Sequence, residues 1–197
     1  MRIIIAIFIS SCLLGGPAMA ETESCKTLLE HFDGETDNPW RTVNDGVMGG
    51  LSDGGSVLEN GALTFSGVTN TNGGGFSSIR MRMAPGAMAG TNRLKVHMKR
   101  DARVYSMTLR TNVTSYQRRI AFRSEITGAP EGEWGDGILS FDSLKASIWG
   151  RPIPDAIFDP NEVVEIGLII YDGKDGPFEM QLKRIEACHS TTNNVTG

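Results

Sequence analysis

The sequence is poor in the residues that build metal and thiol chemistry. Of 197 residues, three are cysteine and three are histidine, and no two of His31, His97 and His189 share a local spacing. With the cysteines also isolated, no zinc site is expected. Long apolar runs are absent as well: nothing approaches the ~18 consecutive apolar residues of a membrane helix. There is no Walker loop, no G-x-G-x-x-G following a strand, and no EF-hand loop with its terminal glutamate. No cofactor or metal is therefore expected, although a calcium ion held among loop carboxylates such as Asp172 and Asp175 stays open. Helical periodicity is missing too, which leaves strands to carry the fold.

The N-terminus reads as an export signal. Met1-Arg2 is a short basic start, Ile3 to Ile9 is apolar, and Ala18-Met19-Ala20 is a small-x-small cleavage site. The expectation is a signal peptide over 1–20, cleavage after Ala20, and a periplasmic or secreted single domain over 21–197. Cys12 falls within the signal, so Cys25 and Cys188 remain, and in an oxidising compartment they are expected to form one disulfide clasping the terminal strands. Two unpaired thiols are the alternative. Cys12 as a lipid-acceptor cysteine is another, weakened by the few residues before it.

Apolar residues alternate. Ala62 to Phe65, Ile79 to Met83, Leu94 to Met98, Tyr105 to Leu109, Tyr116 to Phe122, Ile138 to Phe141, Val164 to Tyr171 and Phe178 to Ile185 each read as a strand with one buried face. The run at Val164 is the most hydrophobic and is expected to be central. Asp172 to Pro177 reads as a turn whose acids serve hairpin chemistry. About ten strands without an amphipathic helix predict an all-β fold of two packed antiparallel sheets, a sandwich or jelly roll, with a closed barrel as the alternative. Nine of the 24 glycines fall in 46–61 and 73–75, marking two tight loops.

Gly50-Leu51-Ser52-Asp53-Gly54 matches the G-x-S-x-G pattern of serine hydrolases, but it lacks the preceding apolar strand and the following helix that present such a serine. Charge is more informative. The net charge is −4, yet between Arg80 and Arg123 eleven Lys and Arg stand against one acid, Asp101. Arg93, Lys95, His97 and Lys99 share one strand face, and Arg80, Arg82, Arg118 and Arg119 extend the basic character, so one sheet is expected to have a basic outer surface. Such a surface either docks an anionic partner (acidic protein, lipid headgroup or charged glycan) or pairs with the acidic segments at 131–136 and 155–165. Nucleic acid is not expected, given the negative overall charge and a basic run without stacking aromatics.

The stretch Trp40-Arg41-Thr42-Val43-Asn44-Asp45-Gly46-Val47-Met48-Gly49-Gly50-Leu51-Ser52 resembles the signature of the complex I intermediate-associated protein 30 family, W-x-x-V-N-D-x-V-M-G-G-x-S. Phe65-Ser66-Gly67, Gly73 to Arg80, Tyr105 to Arg110 with Tyr116, Ile166 to Ile170 and Gly176-Pro177-Phe178 continue the resemblance in order, from about Phe32 to Ile185. Leu139 to Leu144 departs from it, without the proline and second phenylalanine common in relatives. The resemblance implies a galactose-binding-like jelly roll and a non-enzymatic assembly factor or chaperone for respiratory complex I.

Within the signature, Asn44, Asp45 and Ser52 have the chemistry to bond loop amides. Met48 either plugs the core, the favoured reading, or offers an adaptable apolar contact. Phe76 and Arg80 are expected in the neighbouring wall. Trp40 and Trp149 are expected to be partly buried, although an exposed ring there, or at Tyr116, would suit a sugar. The leading expectation is thus an exported, non-catalytic binding module that assists assembly of a protein partner. The alternative is a carbohydrate-binding module of the cell envelope. Candidate binding residues are Asn44, Asp45, Met48, Ser52, Phe76, Arg80, Arg93, Lys95, Lys99, Tyr116 and Trp149.

Overall fold

The computed structural model describes residues 20–30, 38–115 and 117–193. Residues 1–19, which hold most of the expected signal and Cys12, and also His31 and Tyr116 lie outside them.

Among the described residues thirteen strands follow one another: β1 (Ala20–Glu30), β2 (Arg41–Asn44), β3 (Asp53–Glu59), β4 (Ala62–Thr69), β5 (Ser77–Arg82), β6 (Arg93–Arg100) and β7 (Tyr105–Ser115). They continue with β8 (Arg118–Glu125), β9 (Gly135–Ser140), β10 (Lys145–Ile148), β11 (Arg151–Pro152), β12 (Val163–Ile170) and β13 (Gly176–Asn193). The smaller sheet has the order β3-β4-β13-β6-β9, with β1 also paired to β13, and the larger has the order β11-β10-β8-β7-β12-β5-β2. All strand pairs are antiparallel. The chain crosses repeatedly from one sheet to the other, giving the expected sandwich with jelly-roll connectivity.

The period-two pattern produces the core directly. Leu94, Val96 and Met98 of β6 face Tyr105, Met107 and Leu109 of β7 and Ile166, Leu168 and Ile170 of β12 across the sandwich, all essentially without solvent contact. Phe65, Phe122 and Phe178 fill the space between the sheets, and Met88 and Met180 adapt to what remains. β12, the most hydrophobic strand, lies between β7 and β5 inside the larger sheet.

Strand β13 is the spine of the smaller sheet. Its first half pairs with β4, its second half pairs with β1 on the same side, and β6 runs along the other side. Cys25 and Cys188 are register partners in β1 and β13, and they form the expected disulfide.

Three expectations need correction. The basic strands do not share a sheet: Arg93, Lys95 and Lys99 lie on β6 of the smaller sheet, whereas Arg80, Arg82, Arg118 and Arg119 lie on β5 and β8 of the larger. Alternation reports which residues share a face of one strand, not which strands become neighbours. Residues 172–177 are not a hairpin, since β12 and β13 belong to different sheets; the segment is a crossover, and Asp172 anchors it through Arg103. Finally, the strand expected from Tyr116 begins at Arg118, because Gln117 takes a positive φ of 60° in the turn after β7.

Candidate functional site

The signature residues build a knot around one carboxylate. Asp45 opens a single turn of 3-10 helix after β2 and is fully buried. Its Oδ1 accepts the Ser52 amide at 2.9 Å, and its Oδ2 accepts the Ser52 hydroxyl and the Gly75 amide at 2.6 Å each, with the Phe76 amide at 3.3 Å. Ser52 Oγ in turn accepts the Asn70 amide at 2.9 Å. Asn44 bridges the next layer, donating to the Gly54 carbonyl at 3.1 Å and accepting the Ser77 hydroxyl at 2.7 Å.

The glycines are dictated by that carboxylate. A Cβ on Gly50 would sit 2.3 Å from Asp45 Cγ, and one on Gly74 would sit 2.4 Å from its Oδ2. The two glycine-rich loops therefore close on Asp45 from both sides, as only bare backbone permits. Ser52 is buried, bonded to Asp45, and leads into strand β3 rather than a helix. It is not presented on a hydrolase elbow.

Burial alone would raise the Asp45 pKa, but the Ser52 hydroxyl and the amides of Gly75, Ser52 and Phe76 outweigh it and hold the carboxyl below the ordinary 3.8. Asp172, held chiefly by Arg103, and Asp175, held chiefly by the Thr71 amide, shift the same way. A depressed folded pKa contributes stability that is present above the unfolded value and lost as pH falls through the folded one. The thermal midpoint is therefore expected to fall below about pH 4. Asp45→Asn should melt lower at neutral pH yet decline less steeply in acid, which melts followed by circular dichroism across this range would show. An acid limb as steep in Asp45→Asn as in the wild type would refute the assignment.

The loops tied by this knot form one wall of a groove on the outer face of the larger sheet. Strand alternation sets its floor: Arg80 on β5, Ile169 on β12, Thr108 and Arg110 on β7, and Arg119, Ala121 and Arg123 on β8 all point away from the core. Val47, Met48, Gly74 and Phe76 line one side, and Trp149 lines the other. The groove has a volume of about 880 Å³.

Among the described residues, five arginines line it (80, 110, 118, 119 and 123) and no carboxylate does. Glu165 lies beside the floor, accepting from Arg110 at 3.0 Å with Arg41 at 3.5 Å. Gly167, the register partner of Arg80, leaves space for the arginine stem, whose Cγ would be 3.2 Å from an added Cβ. Burial, then repulsion from Arg110 and Arg41, lowers the Arg80 pKa to about 10 against the pull of Glu165.

Trp149 and Gly150 form the two-residue turn between β10 and β11, with φ of 50° and 76°. A left-handed tryptophan costs about 1 to 2 kcal/mol, and its indole stands 80% exposed with the Arg118 guanidinium 4.7 Å from the ring centre. Arg123 lies likewise over Tyr171 at 5.3 Å, and Tyr171 meets Phe76 edge to face.

Several expectations change here. Trp40 is buried, but Trp149 is exposed. Met48 is not a core plug: its neighbour Gly49 turns the chain outward at φ 87°, leaving Met48 65% exposed at the groove rim. Asn44, Asp45 and Ser52 hold the rim and do not line the groove, whereas Phe76 and Arg80 do line it. On β6, Lys95 pairs with Glu23, Arg93 lies 4.0 Å from the same acid, and His97 meets Asp136 at 2.8 Å, so that half of the basic run is neutralised within the fold. Lys99 shares that strand and lies far from the groove lining. Arg110, Arg123 and Tyr171 were not singled out from sequence. Their period-two spacing was the available signal, masked by not knowing which strands would adjoin.

The family profile described as complex I intermediate-associated protein 30 (CIA30) matches residues 30–182. The chain belongs to this family. No functionally curated protein matches the CIA30 chain. Among solved structures it is similar to the family 11 carbohydrate-binding module of the cellulosomal cellulase Lic26A-Cel5E of Clostridium thermocellum, at 16% identity and TM-score 0.61, over 91% of this chain and 99% of that one. The family 11 module from the same organism in complex with a β-1,3-1,4-mixed-linked tetrasaccharide gives 14% identity and TM-score 0.60, over 90% and 100% of the two chains. At such identity these likenesses speak for the fold of this CIA30 chain alone, a two-sheet antiparallel β-sandwich.

Proposed function

We propose that this CIA30 protein is an exported, non-catalytic binding module that takes an extended glycan in the groove of the larger sheet. The observation that carries the reading is Trp149, an indole held exposed in a left-handed turn at the wall of a groove that also contains Tyr171. A flat ring kept out of the core at a cost in backbone energy supplies apolar area for the face of a sugar, while the arginines supply directional donors. The tetrasaccharide complex of the family 11 module supports the same ligand class. Export is supported by the Cys25–Cys188 disulfide, which persists in oxidising compartments. Recovery from periplasm or medium of a chain starting at Glu21 checks it.

A specific observation favours a second reading, assembly or chaperoning of a protein partner. Val47, Met48 and Leu51 of the signature loop are 76%, 65% and 65% exposed, an apolar tip suited to a protein surface. Electrophoresis of the oxidised protein through gels containing a panel of polysaccharides, followed by fluorescence titration, separates the two. Retardation that Trp149→Ala and Tyr171→Ala each weaken about tenfold, and that is left intact by Trp134→Ala, whose ring stacks on His97 of β6 away from the groove, supports the glycan reading. Unretarded migration in every gel overturns it. A host protein retained by wild type and by Trp149→Ala, but lost in Met48→Asp, selects the assembly role.

A further inference from the structure

We propose that the groove is built for an acidic glycan, a strand of uronic acid units whose carboxylates lie on the arginines of β5, β7 and β8. This rests on the glycan reading above and adds the charge of the ligand.

The two faces of the molecule treat their cations oppositely. On the smaller sheet two cations of β6, Lys95 and Arg93, meet the carboxylate of Glu23. At the groove floor, Arg110 and the flanking Arg41 both pair with the Glu165 carboxylate, and Arg80 lies within its field and theirs, leaving a surplus of positive charge. Arg118, Arg119 and Arg123 make no ion pair among the described residues. The Arg80 Nε is buried and has no hydrogen-bond partner among the described residues. A cation held out of water beside other cations is a standing cost, and an anion laid in the groove removes it.

The choice of residue matters as much as the charge. Every cation lining the groove is arginine, none lysine, and the planar guanidinium meets a carboxylate with two parallel hydrogen bonds. Two of these guanidiniums lie on aromatic rings, Arg118 on Trp149 and Arg123 on Tyr171. Each pair places a carboxylate-binding fork beside an apolar plate. A uronate unit offers both counterparts on one ring, a face to stack and a carboxylate to grip. An acidic peptide offers the charge without the plate. A nucleic acid offers both, but its dense charge is repelled by the remaining surface of a protein of net charge −4.

The test titrates the full oxidised protein, by calorimetry, with hexamers of galacturonate, glucuronate and mannuronate. Their methyl esters, a neutral mixed-linked β-glucan, poly-glutamate and a twelve-residue thymidine oligonucleotide complete the set. At least one free uronate hexamer is expected to bind. Its affinity should fall at least about tenfold on esterification and again between 20 and 200 mM NaCl. Arg119→Gln and Arg123→Gln, exposed or half-exposed and therefore safe for folding, should each weaken it about tenfold, while Lys95→Gln leaves it unchanged. Equal binding of acid and ester, or preference for the neutral glucan, overturns the inference and leaves the glycan reading standing. Binding of poly-glutamate or the oligonucleotide with no glycan bound overturns both.

Discussion

Replacing Arg103 by alanine is expected to lower folding stability by about 3 to 5 kcal/mol, the range found when one partner of a buried ion pair is removed. Arg103 is 9% exposed and grips Asp172 through two hydrogen bonds of 2.7 Å. The same guanidinium donates to Thr69 Oγ1 at 2.9 Å and to the carbonyls of Lys174, Gly176 and Pro177 at 2.8, 3.2 and 2.8 Å. It thereby fixes the crossover by which the chain leaves β12 in one sheet and enters β13 in the other. Removing it strands the Asp172 carboxylate and frees three carbonyls at once. Urea unfolding measures the loss. Asp172→Asn should cost less, because the amide keeps one acceptor for the guanidinium. The pairing Arg103→Met with Asp172→Leu should recover part of the alanine deficit, as buried pairs replaced by apolar groups often do. A deficit in Arg103→Ala under about 1 kcal/mol would mean that the crossover is held by packing alone.

Breaking the disulfide comes next in size. Cys25 and Cys188 are separated by 163 residues, and closing a loop of that length restricts the unfolded chain by up to about 5 kcal/mol in the entropy model. This is comparable to the whole stability of many domains. The double variant Cys25→Ser with Cys188→Ser, or wild type in reductant, should therefore unfold at a markedly lower urea concentration. Because the effect lies in the denatured state, the slope of free energy against urea should also steepen as that state expands. An unchanged midpoint and slope would show that the bridge only decorates the edge strand β1.

What the sequence disclosed and what it withheld follow from the range of the interactions involved. Strand faces, the terminal disulfide and the amide-bonding roles of Asp45 and Ser52 depend on alternation, residue chemistry or short separations, and they are readable, whereas Asn44 bonds a carbonyl and a hydroxyl instead of a loop amide. The glycines at 50 and 74 announce tight loops, but the carboxylate they make room for becomes evident only when both loops are seen to enclose it. The division of the basic run between two sheets depends on strand order, which no local pattern encodes, and the same ignorance hid Arg110, Arg123 and Tyr171 as one surface. Trp149 was misjudged because apolar character argues for burial, whereas the two-residue turn it forms with Gly150 pushes it outward. The Arg103–Asp172 pair joins residues 69 positions apart, so the acid looked like ordinary turn chemistry.

The placement of β13 governs when the molecule is able to acquire its shape. Because β1, β4 and β6 all pair with this one strand, the smaller sheet has no middle until residues 176–193 are available, long after the others have been synthesised. Pairings across so much of the chain close slowly, and a nascent polypeptide that stops short of this strand lacks the piece that locks it. The smaller sheet therefore sets into its final form only after β13 has joined it.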